Sequence, residues 1–193
     1  MGGTVRRPGK TGEKGRGRGI VTRVETPGPN KVVALLKLLV FTLLVPCTFA
    51  LWLPRYLYPS VYRSDVHWDV LAVTGVLLMA FGLAGYLWTS LDFAFRGHGT
   101  PAPIDPPKIL VVRGLYRYVR NPMYISVALV LGGECLLFRS WVLARYLAWC
   151  FAIVFLVVLF YEEPVLRGKF GPVYKQYCRD VPRWLPRLRR PHR

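Results

Sequence analysis

The chain has 193 residues, 53% of them hydrophobic, 14% aromatic and only 19% charged, with a positive mean hydropathy, which is too apolar for an ordinary soluble domain of this length. Its 27 Lys and Arg against 10 Asp and Glu give a net charge of +17, the balance of a nucleic-acid binder, but such a protein scatters its apolar residues and this one collects them into long runs, so no nucleic-acid partner is expected. The same runs exclude a mainly disordered or collagen-like chain, and four Cys are too few for a disulfide-stapled mini-domain.

Residues 1–31 hold 8 basic residues, 8 Gly and 3 Pro, a composition that buries no core and reads as a disordered basic tail attracted to anionic lipid head groups. RNA contact through the Arg-Gly stretch Arg16 to Gly19 is the sharper alternative. The domain proper is expected over 32–193. Val32 to Leu53 offers 22 mostly apolar residues with one charge, Lys37, and a helix-kinking Pro46. This run is long enough to span, so it is not read as a cleavable signal peptide. Val70 to Leu91 offers 22 more without a charge, and its Gly75, Gly82 and Gly85 would let a neighbouring helix approach closely. Pro122 to Phe138 is shorter and carries Glu134, whose expected partner is a lipid head group or Arg145. Ser140 to Tyr161 completes four spans. Only Arg139 separates the last two, so they form a tight hairpin with Pro122 and Tyr161 at the same end.

The fold class is therefore all-α, a polytopic membrane protein of about four transmembrane helices. Lys and Arg number 8 in the tail 1–31, 5 in the loop 92–121 and 9 in the tail 162–193, against Arg55, Arg63 and Arg139 on the opposite side. The asymmetry puts both termini in the cytoplasm. Cys47, Cys135, Cys150 and Cys178 are expected to be reduced, and His67, His98 and His192 have no ligand spacing, so no metal is expected.

Three polar segments carry chemistry. The loop 92–121 contains Gly97-His98-Gly99 and then Pro101, Pro103, Pro106 and Pro107, a stiff extended strap. It ends in the basic and aromatic run Gly114-Leu115-Tyr116-Arg117-Tyr118-Val119-Arg120-Asn121-Pro122-Met123-Tyr124. This run is either an interfacial belt or, with the helix N-terminus at Pro122, a holder for a carboxylate or phosphate. At the other end of the hairpin, Glu162-Glu163-Pro164 puts two carboxylates where a helix C-terminus disfavours them. They are exposed to water, paired with Arg117 or Arg120, or hydrogen-bonded to the ribose or amino groups of a cofactor. In the tail, Phe170, Tyr174, Tyr177 and Val181 form one helical stripe, with Gly171-Pro172 in the first turn. That is an amphipathic helix lying in the interface or closing over the hairpin mouth.

The run from Gly114 to Tyr124, the apolar hairpin, Glu162-Glu163-Pro164-Val165-Leu166 and Phe170-Gly171-Pro172-Val173-Tyr174-Lys175-Gln176-Tyr177 together resemble the isoprenylcysteine carboxyl methyltransferase and phospholipid methyltransferase superfamily. These are integral membrane enzymes that use S-adenosylmethionine. The likeness covers about residues 92–186. It implies transfer of a methyl group from S-adenosylmethionine to a lipid or lipidated acceptor, at a cofactor site built from Arg120, Asn121, Pro122, Tyr124, Glu162 and Glu163. Arg120, Tyr124 and Glu163 are then the candidates for catalysis. The phospholipid branch also has a Gly-x-Gly element for the cofactor, to which Gly97 and Gly99 correspond. The isoprenylcysteine branch usually has His where this chain has Asn121, which leans towards the phospholipid pattern. Methyl transfer from a sulfonium needs alignment and exclusion of water, so the lack of a catalytic triad is expected. The rivals are an NADPH-dependent sterol or steroid reductase, which shares an Arg-His-Pro-x-Tyr motif, and a non-enzymatic membrane scaffold.

Overall fold

A computed structural model describes residues 31–96, 110 and 112–186. The regular elements among the described residues are all helical, in accord with the all-α expectation. Three helical stretches are long and apolar enough to cross a membrane: Val32–Leu57, Val70–Asp92 and Trp141–Asp180.

The first stretch is not one regular helix. Helix α1 (Lys31–Leu44) runs into Pro46, a π-helical turn follows over Thr48–Trp52, and the short α2 (Leu53–Leu57) and α3 (Pro59–Tyr62) complete it. The widened turn has a local cause. Pro54 has no N–H to give and its ring crowds the preceding carbonyls, so the backbone takes up a longer loop in which Leu53 N–H reaches Thr48 O. The carbonyl of Phe49 would face Pro54, and it is taken instead by the Tyr146 hydroxyl at 2.8 Å.

Helix α4 (Val70–Arg96) starts at Asp69, whose side chain accepts from Ala72 N–H at 3.0 Å and also pairs with Arg139. It extends through Arg96, so the first residues of the segment read as a loop are helical. Helix α5 (Pro122–Leu137) has 16 residues, about 24 Å at 1.5 Å per residue, and none of them is exposed. It is the central helix, lying mainly on α4. A Cβ on Gly75 would come within 2.7 Å of Gly133 O, and one on Gly82 within 2.7 Å of Ser126 O, so the contact is backbone against backbone. The small residues of the second span have the role expected of them.

The connection from α5 to α6 (Trp141–Val157) is as tight as expected: Arg139 takes a left-handed φ of 46° and the Ser140 side chain accepts from Leu143 N–H to open α6. At this end of the hairpin Glu134 is fully buried. It accepts from Tyr62 at 2.7 Å and from Arg55 at 3.2 Å, with the Arg55 guanidinium 4.5 Å from the Tyr62 ring centre. The expected partner Arg145 is thus replaced by Arg55 at the end of the first stretch, and the break at Tyr58, whose φ is −130° and ψ 55°, brings Tyr62 of α3 to the same carboxylate.

Beyond α6 the helix does not stop at Tyr161. A second π-helical turn, Val158–Glu162, leads directly into α7 (Glu163–Asp180). Glu163 N–H reaches Val158 O, and Pro164 follows, the same arrangement as at Pro54. The expectation that Glu162 and Glu163 sit at a helix C-terminus is corrected: the widened turn absorbs the proline and the helix continues. The chain reverses later, at Gly171, whose φ of 53° and ψ of −126° break α7 between Phe170 and Pro172. Gly171 therefore ends one helix and Pro172 opens the next, so the pair stands at the start of the stripe's helix as expected, with a further helix, 163–170, ahead of it.

Candidate functional site

The π-helical turn at 158–162 sets the register of the two carboxylates. Glu162 ends the turn and Glu163 opens α7, and adjacent helical residues point about 100° apart, so the two meet different neighbours across the hairpin mouth. Glu162 accepts from the Tyr124 hydroxyl on the first turns of α5. Glu163 is 2% exposed and accepts four hydrogen bonds: from Arg120 at 2.7 Å, from Arg183 at 2.7 and 2.9 Å, and from Arg167 at 3.1 Å. Four bonds fill both carboxylate oxygens. The pairing with Arg120 is as expected, while Arg117 is not among the cations on Glu163.

Arg120 is held from all sides. Its backbone N–H donates to Pro182 O at 2.9 Å, and one terminal nitrogen bridges Glu163 and Cys178 Sγ. Its Nε–H is buried and has no partner among the described residues. Asn121 donates from Nδ2 to Arg183 O at 3.2 Å, and Pro122 occupies the first position of α5, where a missing N–H leaves no bond unmade. The 3-10 turn Gly114–Arg117 leads into this run, and Gly114 adopts a φ of 54° where a Cβ would meet Asp92.

The second half of α7 folds back over this floor. Tyr174, Tyr177 and Val181 are buried together with Leu110, Leu166, Phe170 and Cys178, and the Tyr177 hydroxyl donates to Tyr116 O at 2.8 Å. The stripe seen in the sequence is real, and it faces the loop 114–121. After it, residues 181–186 lie across the hairpin mouth, with Arg183 on Glu163 and Trp184 against Phe151 and Phe155, ring centres 4.9 and 6.1 Å apart. The hydrogen bond to Glu163 raises the Arg183 pKa further, against the opposing effect of burial. Neither Arg183 nor Trp184 stood out in the sequence. The signal was available only as a basic and aromatic pair just past the stripe.

Three guanidiniums outnumber the two carboxylates Glu162 and Glu163, leaving a local excess of positive charge that favours an anionic guest. Beside them an apolar cleft of about 380 Å³ opens between the first stretch, α5 and α6, lined by Phe41, Phe49, Tyr124, Leu131, Phe151 and Val154 among others. Tyr124 belongs to both places: its ring lines the cleft and its hydroxyl reaches Glu162. The structure thus brings together Arg120, Asn121, Pro122, Tyr124, Glu162 and Glu163. Gly97 and Gly99 lie outside the described residues, as does the Pro strap. Among the described residues no group of three or more His, Cys, Asp or Glu is placed to hold a metal ion.

The model of the phospholipid methyltransferase family matches residues 70–173, from the start of α4 to just past the break in α7. The chain belongs to the phospholipid methyltransferase family. Two relatives of this family member carry other names. One is the cobalt-zinc-cadmium resistance protein CzcN of Cupriavidus metallidurans, 29% identical over 139 residues, 69% of this chain and 60% of that protein. Another is the nickel-cobalt-cadmium resistance protein NccN of Alcaligenes xylosoxydans xylosoxydans, 29% identical over 135 residues, 67% of this chain and 59% of that protein. The chain therefore spans about three fifths of the length of these relatives. No solved structure matches it.

Proposed function

We propose that this protein is a membrane methyltransferase that moves a methyl group from S-adenosylmethionine to a lipid or lipidated acceptor, with both termini and the hairpin mouth in the cytoplasm. The observation that carries the reading is the junction at Tyr124, where a charged, partly unsatisfied polar site meets an apolar cleft. A soluble charged donor and an oily acceptor need such neighbouring compartments.

The residues fit the donor. The buried Nε–H of Arg120 lacks an acceptor among the described residues, and the surplus positive charge around Glu163 suits the methionine carboxylate. Because Glu163 already accepts four hydrogen bonds, the geometry supports Glu162 as the carboxylate that takes a ribose hydroxyl or the amino group. Glu163 is then the post that holds Arg120 in place. When bound, S-adenosylmethionine supplies an electrophilic methyl on a sulfonium. The chain's own part is alignment and exclusion of water: Tyr124 fixes Glu162, the tail 181–186 covers the mouth, and the cleft admits the acceptor's hydrocarbon from the side. An amine acceptor must lose a proton, and Tyr124, at the edge of the cleft, can orient it; a carboxylate acceptor needs none.

The test is calorimetric titration of the detergent-solubilised protein with S-adenosylhomocysteine, with NADPH as the parallel ligand. Saturable binding of the first alone is expected, weakened about tenfold or more in Glu162→Gln, as for the loss of a charge-assisted hydrogen bond. Undiminished binding in that variant removes Glu162 from the site. NADPH binding alone replaces the proposal with a reductase, and silence from both ligands in folded protein leaves a scaffold.

A further inference from the structure

The tail that crosses the hairpin mouth does more than cover it. Trp184 is wedged against Phe151 and Phe155 of α6, and Phe151 is itself a wall of the apolar cleft. The indole thus lies between the Arg183–Glu163 pair and the Phe151 wall of the cleft. Its Nε1–H is buried and has no hydrogen-bond partner among the described residues. A buried indole N–H ordinarily finds an acceptor, and tryptophan is the side chain suited to a place that is oily at one end and polar at the other. Trp184 is also held from behind: its neighbour Arg183 grips Glu163 with two nitrogens and gives its carbonyl to Asn121. The ring is pinned by these contacts, so its buried donor keeps one direction.

Resting on the methyltransferase reading above, we propose that Trp184 is a specificity-determining residue for the acceptor, its Nε1–H donating to an oxygen of the acceptor's head group while the hydrocarbon lies in the cleft beside Phe151. The acceptor class is a lipid whose head group carries an ester, phosphodiester or carboxylate oxygen within a few bonds of the methylated atom. Arg183 and Glu163 act on this contact only by positioning.

The experiment compares the full chain with Trp184→Phe, which keeps an aromatic ring between Phe151 and Phe155 and removes the N–H. Two quantities are read: binding of S-adenosylhomocysteine by calorimetry, and transfer of labelled methyl from S-adenosylmethionine to vesicles of phosphatidylethanolamine and of total lipid extracted from bacterial membranes. The expected result is a KM for the lipid raised about tenfold, with kcat and cofactor affinity within a factor of two of the parent. Trp184→Ala, which also removes the wedge, is expected to lower kcat as well. An unchanged KM in Trp184→Phe overturns the proposal, and so does a loss confined to cofactor affinity, which would assign the N–H to the donor. Cofactor binding without transfer to either vesicle overturns the acceptor contact while sparing the cofactor site. A parent protein that binds no S-adenosylhomocysteine fails at the earlier reading instead.

Discussion

Replacing Glu163 with Gln keeps the size and one acceptor oxygen of the side chain but removes the counter-charge of three arginines. Arg120 and Arg183 have side chains only 11% and 25% exposed and bond to a carboxylate that is 3% exposed. Stranding such buried guanidiniums costs about 3–5 kcal/mol, the usual loss when one side of a buried ion pair is deleted. Arg167 is 52% exposed and adds at most about 1 kcal/mol. Removing Arg183 alone, as Arg183→Gln, costs less, about 1.5–3 kcal/mol, because Arg120 and Arg167 still balance the carboxylate. The two losses share one contact, so the double variant should be more stable than the sum predicts by roughly 1 kcal/mol or more. Thermal unfolding in detergent, followed by tryptophan fluorescence, reads each step. For a chain of this length Glu163→Gln should melt about 10 °C below the parent. Strictly additive losses, or a melting point for Glu163→Gln equal to the parent's, would refute a tail anchored through this carboxylate.

Filling the α4–α5 contact should be severe: Gly82→Leu forces a side chain into Ser126 O and the backbone of Val130, and a loss of ~3 kcal/mol or more in the same melting assay is expected. Tyr146→Phe leaves the Phe49 carbonyl without its partner and should cost about 1–3 kcal/mol, with S-adenosylhomocysteine affinity unchanged. Ala128→Phe narrows the apolar cleft from its wall, so lipid KM should rise while cofactor binding, read by calorimetry, stays as in the parent; equal KM values would separate the cleft from the acceptor.

How much of this was readable beforehand depends on whether a contact is set by local order along the chain. Tyr124 and Glu162 are 38 residues apart, yet they are joined by two helices of similar length folded at Arg139, so hydropathy and one short gap were enough to place them face to face. The stripe Tyr174, Tyr177 and Val181 follows from helical period alone. Arg183 on Glu163 does not, because it needs the reversal at Gly171, and one glycine before a proline reads equally well as the first turn of a helix. The partner of Glu134 was misplaced for a related reason. Arg145 lies near it in sequence, whereas Arg55 is 79 residues away and arrives only through the packing of the first stretch beside α5. Pairing of Glu163 with Arg120 was readable from charge; the saturation of that carboxylate by four bonds was not.

The two widened turns impose the same rule on opposite ends of the molecule. Each adds a residue without adding a full step of height, so everything beyond it is rotated by about a quarter turn relative to an unbroken helix. Below the turn at 158–162 the helix must show its apolar residues to the membrane, and from the end of the turn onward it must show Glu162 to Tyr124 and Glu163 to the arginines. The turn lets one continuous rod satisfy both demands with different faces. A deletion of one residue within 158–162 would therefore leave helix content and hydropathy almost untouched and yet swing Glu162 and Glu163 off their partners. Sequence comparisons that tolerate a one-residue gap in this helix would miss the loss, and an alignment of related chains should place its gaps anywhere but here.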